Sequence, residues 1–85
     1  MMPRLPLIGL GLALLAQPAL ADRPPTLEEL ARIETVLRVQ GFQTWDEIEL
    51  DDDGWEVDDA LAPDGRRYDL KLDPVTLAIL SSKAD

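Results

Sequence analysis

The stretch TLEELARIETVLRVQGF, residues 26–42, decides the fold. Thr26 and Glu29 stand three residues apart at its start, the spacing of a capping box in which each side chain satisfies the other's free backbone N–H. Glu28 and Glu29 place negative charge in the first turn, where the helix dipole favours it. Leu27, Leu30, Ile33, Val36, Leu37 and Gln40 recur at steps of three and four, which draws one stripe along a helix. Gly41 suits a left-handed C′ position, and Phe42 at C″ can fold back on Leu37 at C3. The spacing predicts a helix over 26–40.

Beyond Phe42 the apolar period changes from three-and-four to two. In Asp46-Glu47-Ile48-Glu49-Leu50 the two apolar residues share one face and the two glutamates the other. Asp51-Asp52-Asp53-Gly54 then turns the chain, with Gly54 able to take positive φ. Trp55 to Asp58 alternates again, Ala62-Pro63-Asp64-Gly65 is a second turn, and Arg66 to Leu72 alternates most regularly, with Tyr68, Leu70 and Leu72 inward. Asp73-Pro74 breaks that strand, and Thr76 to Ser81 offers a short fourth one. Antiparallel strands with one apolar face need a cover, and one amphipathic helix is available. The fold class is therefore α+β: one N-terminal helix packed on a three- or four-stranded antiparallel β-meander.

Working outward, residues 1–21 read as a secretory signal peptide. Arg4 gives a positive start, Leu7 to Ala16 an apolar centre too short to span a bilayer, and Ala19-Leu20-Ala21 a small-residue cleavage site. Removal is expected after Ala21, which places the chain in the periplasm or the medium. Residues 22–25 are expected to be a mobile leader, 26–81 the folded domain and 82–85 a frayed tail.

The part after Ala21 carries seven basic and seventeen acidic residues, a net charge of −10. Such a surface repels phosphate backbones and anionic head groups, so neither nucleic acid nor membrane is an expected partner. The chain has no cysteine, so this small domain must be held by packing alone or with a partner's help.

Without His or Cys, the chain holds no Ser–His or Cys–His nucleophile pair, and its only serines are Ser81 and Ser82. No catalytic residue and no cofactor are expected, and the chain reads as non-enzymatic. Asp51 and Asp53 before Gly54 suggest a calcium loop, since hard cations take clustered carboxylates. That alignment puts Ala60 where a bidentate Glu belongs, and a solvated turn reads better. Trp45 is out of phase with Ile48 and Leu50. Either a bulge turns it inward, or it stands exposed as a partner-binding residue. The open edges of the meander could accept an extended peptide as an added strand.

Gly41-Phe42, the run Ile48 to Val57 with its acidic turn, Asp64-Gly65-Arg66-Arg67-Tyr68-Asp69-Leu70 and Leu72-Asp73-Pro74 together resemble the PepSY domain family. One departure is that the glycine expected after Thr76 is Leu77. The resemblance implies an exported, non-catalytic module that binds or regulates another protein, such as a peptidase or an envelope sensor. It supplies no site residues. The competing expectation is a small acidic protein responsive to calcium through the 51–54 hairpin, and a third is an accessory chain that needs a partner for stability.

Overall fold

The computed structural model describes residues 22–85, so the signal read at 1–21 lies outside the described residues. Helix α1 spans Leu27–Val39. Thr26 Oγ1 accepts from the Glu29 N–H at 3.1 Å, and Glu29 Oε1 accepts from the Thr26 N–H at 2.9 Å, so the capping box is complete. At the other end Gly41 takes φ +98°, the Gly41 N–H donates to Arg38 O and the Phe42 N–H to Leu37 O, both at 2.9 Å. That pair of bonds satisfies the last-turn carbonyls and turns the chain back toward the sheet.

Four strands follow, β1 Glu47–Asp51, β2 Gly54–Leu61, β3 Arg67–Leu72 and β4 Ile79–Ala84, all antiparallel and in the spatial order β1-β2-β3-β4. Register lines up the apolar residues in two cross-strand rows, Ile48–Val57–Leu70 and Leu50–Trp55–Leu72. Ile33 and Leu37 of α1, both fully buried, close over these rows. Each such side chain contributes about 1.5–3 kcal/mol by leaving water. Leu27, expected on the stripe, is 87 % exposed. It lies six residues before Ile33, which at about 100° per residue turns it some 120° away from the sheet.

Two end segments differ from expectation. The leader is docked: the Arg23 N–H donates to Leu50 O at 3.1 Å and the Leu50 N–H to Arg23 O at 2.8 Å, while the Arg23 guanidinium grips both oxygens of Glu29. Its guanidinium carbon also lies 5.6 Å from the centre of the Trp55 ring. The tail is not frayed, because β4 begins at Ile79 and runs to Ala84, beyond the expected limit of 81. Its polar Ser81-Ser82-Lys83 run lacks an apolar alternation, yet backbone pairing with β3 needs none.

The fourth strand depends on the turn before it. The Asp73 carboxylate accepts the N–H groups of Val75 and Thr76, each at 2.8 Å, and the Asp73 carbonyl accepts the Leu77 N–H at 3.0 Å. Leu77 then adopts φ +65°, the left-handed conformation a glycine would take there. A non-glycine residue held so costs on the order of 1–3 kcal/mol, which the surroundings must offset.

Gly54 is the tightest point of the sheet, with φ +138° and an ideal Cβ only 2.2 Å from the Leu72 carbonyl oxygen. Gly54→Ala therefore forces β2 away from β3 and is expected to cost more than about 3 kcal/mol, whereas Gly41→Ala, which meets the movable Pro63 ring, costs about 1–2 kcal/mol. Urea unfolding of the two variants measures the difference, and equal costs would contradict the close approach.

Candidate functional site

The sheet has two unlike sides. Alternation turns Ile48, Leu50, Trp55, Val57, Leu70 and Leu72 toward α1, and Glu47, Glu49, Asp51, Glu56, Asp58, Asp69 and Lys71 away from it. On the outer side Glu49, Glu56 and Lys71 stand in one cross-strand row. The Lys71 ammonium reaches diagonally to Asp51, 2.7 and 3.0 Å from its two oxygens, and lies 4.0 Å from Asp53. This hydrogen bond holds the Asp51 carboxyl below its ordinary range and raises Lys71. The carboxylates without such a partner go the other way. Partial burial, then repulsion from neighbouring acids, raises Glu49 and Asp58, and burial raises Glu56.

The hairpin residues singled out for calcium, Asp51 and Asp53, therefore sit differently from a cation loop. Asp51 holds Lys71 and also accepts the Asp53 N–H at 2.9 Å, while the Asp53 side chain is 81 % exposed. A cation here would have to displace an ammonium already in place.

Trp45 lies in the link between α1 and β1, before the first strand residue, so strand phase does not govern it. It is half-buried against the core, with the Arg38 guanidinium 5.1 Å from the ring centre. Together with Pro25, Leu30, Glu34, Asp46 and Ile48 it lines a shallow depression beside β1. The ring thus packs at the border of the core without any bulge in β1.

Two features were not visible from spacing alone. Asp58 and Asp59 of β2 face the single Asp69 of β3, a bulge that keeps both Val57 and Ala60 inward. Asp59 takes φ +54°, a conformation aspartate tolerates, and its N–H donates to Asp69 Oδ1 at 3.1 Å. The bulge brings the carboxylates of Asp59, Asp69 and Asp85 within 4.8 Å of one another, and a hydrogen bond with Asp85 raises the Asp59 pKa. The Asp-Asp pair at 58–59 was the signal that could have revealed it. The second feature is an open, shallow cleft of about 390 Å³ between α1 and Leu77, bordered by Ala31, Arg32, Thr35 and Val36.

With this geometry in hand, comparison with known proteins gives one finding. The family model described as "Peptidase propeptide and YPEB domain" matches residues 6–83. No curated protein and no solved structure matches the chain.

The outer carboxylates set a pH dependence with two limbs. A carboxyl whose folded pKa is raised binds its proton more tightly in the folded chain, so Glu49, Glu56 and Asp58 stabilise the fold as pH falls toward their ordinary values of 4.5 and 3.8. Glu29, lowered to about 2 by its hydrogen bond to Arg23, acts oppositely. Its contribution is complete above 4.5 and disappears as pH falls toward 2. Thermal unfolding should therefore show Tm rising as pH falls from 7 toward 4.5, then falling as pH drops further toward 2. Glu56→Gln should flatten the rise, and a steady fall in Tm from neutrality would contradict the assignment.

Proposed function

The chain belongs to the family of peptidase propeptide and YPEB domains, and from that membership we propose that it is an exported, non-catalytic module that binds and regulates a peptidase or an envelope sensor. The single observation that carries the proposal is the family match across residues 6–83, most of the chain. The make-up of the domain agrees with it. Among the described residues, every fully buried side chain is apolar. Catalytic groups work by being partly desolvated and preorganised, so a core of this kind offers surface for contact in place of a reaction chamber.

The reading supposes that residues 1–21 act as the export signal and are removed after Ala21. No helix among the described residues is long and apolar enough to cross a membrane. Once the protein is outside, the acidic outer side of the sheet repels nucleic acid and anionic lipid, and favours neutral or basic regions of a partner on that side. Trp45 belongs to this proposal as an accessory contact. Its exposed edge and the Arg38 stack form a rigid, partly apolar patch of the kind that anchors interfaces.

Immobilised protein, purified with its signal processed by the host, should retain an exported peptidase or the outer part of a sensor from envelope extract. The purified partner's activity should then change when the chain is added in excess. If every retained peptidase and sensor works unchanged at saturating chain, the regulatory reading fails.

A further inference from the structure

Two eleven-residue runs of the sequence after Asp22 contain no carboxylate, 35–45 and 74–84. The fold brings part of each together on one flank, Thr35–Val36 and Leu77. Thr35 and Val36 of α1 face Leu77 across the cleft, and among the described residues Arg32 is the only charged one in its wall. The adjoining depression, which Arg32 and Leu77 also border, holds Glu29, and two others hold Glu56 and Asp69 with Lys71 and Lys83, and Glu34 and Asp46. In a domain of net charge −10, this flank is where an approaching carboxylate meets a cation first.

Leu77 marks the same place independently. It holds a left-handed backbone that glycine would occupy without strain, while its side chain packs on the core and walls the cleft. Strain of this kind persists where the side chain is needed.

Two residues on, β4 begins, and its outer edge has no strand partner among the described residues. The Asp85 N–H donates to Arg67 O at 3.0 Å, and the Tyr68–Ala84, Asp69–Lys83 and Lys71–Ser81 register continues from there. Antiparallel alternation then turns the N–H and C=O of Ser81 and Lys83 inward to β3, and those of Ser82 and Ala84 outward. The opposite edge of the sheet is not equivalent. Arg23 already pairs with Leu50 of β1, and the next residues, Pro24 and Pro25, have no N–H to offer.

We infer that the β4 edge and the Val36–Leu77 cleft form one docking site for an extended segment of the protein partner. The segment adds as a fifth strand along Ser82–Ala84, seats an apolar side chain against Val36 and Leu77, and sets a carboxylate on Arg32. The inference rests on the reading of the chain as a protein-binding module and says where and how it binds. A second copy of this chain fits less well, because Lys83 on the edge strand and the net charge of −10 both oppose self-pairing.

The probe is the synthetic peptide acetyl-Thr-Val-Glu-Leu-Thr-Val-amide, titrated into the isotope-labelled protein expressed with its own N-terminal segment and purified from the cell envelope. Amide shifts are expected at Ser82, Ala84, Leu77 and Val36. Ser82→Pro removes an outward N–H and no bond to β3, so it should weaken binding at least tenfold with thermal unfolding retained. Arg32→Glu should weaken it similarly, and exchanging the peptide's Glu for Lys should restore it. Shifts centred on Ile48, Leu50 or Trp45 would overturn the inference, as would none at millimolar peptide. So would shifts at Ser82 and Ala84 that grow with protein concentration alone, the mark of a second copy. If a captured peptidase or sensor binds the Ser82→Pro and Arg32→Glu variants as tightly as the unmodified protein, the docking site is wrong while the regulatory reading stands.

Discussion

One helix must cover the apolar side of four strands, and it does so through Ile33 and Leu37 set over Val57, Leu70 and Leu72. No disulfide reinforces that contact, since the chain has no cysteine. Everything else in the domain is arranged to let this small interface suffice. The capping box and the Gly41 turn fix the ends of α1, so that its two buried residues arrive in phase with the cross-strand rows. Arg23 then ties the leader to β1, to Glu29 at the start of the helix and to the face of Trp55. A single residue thereby joins three elements, β1 through its backbone and α1 and β2 through its side chain.

A cover this narrow has a consequence at the far side of the sheet. The helix closes over β1, β2 and β3, whereas β4 has only Ile79 packed on the core and is exposed from Leu80 onward. Among the described residues the sheet therefore ends in a strand with unpaired backbone groups on its outer edge, next to a cleft whose wall lacks carboxylates. The outer side of the sheet differs in kind: acids crowd there, Lys71 offsets one of them, and partial burial, then mutual repulsion, raises the pKa of Glu49 and Asp58. The two regions suit different tasks. In the proposed function the acidic side disfavours anionic partners, and in the proposed docking the β4 flank offers shape and backbone hydrogen bonds.

How much of this was legible in the sequence follows from how local each cause is. The helix was readable because its stop and start signals lie within four residues of its ends. The first three strands were readable because one buried face imposes alternation. The docked leader was not, because the partners of Arg23 are Leu50, twenty-seven positions on, Glu29 and Trp55. The reach of β4 through Ala84 was hidden for a related reason: a strand exposed on both faces has no pattern to show. Leu77 stood where a glycine was expected, and only the structure shows that leucine takes the glycine's conformation and packs its side chain on the core. Of the candidate contact residues, Trp45 and the Asp51–Asp53 hairpin were found by type and spacing, whereas the Asp59 bulge and the cleft depend on register.

Native-state amide hydrogen exchange along β4 tests the central claim most directly, that a helix-roofed sheet terminates in an ordered strand with one free edge. Alternating protection is predicted, with Ser81 and Lys83 slow and Ser82 and Ala84 exchanging at rates near those of an unstructured peptide. Uniformly fast exchange from Ile79 to Ala84 would show a loose tail, and uniformly slow exchange an edge already covered; either result would contradict the account.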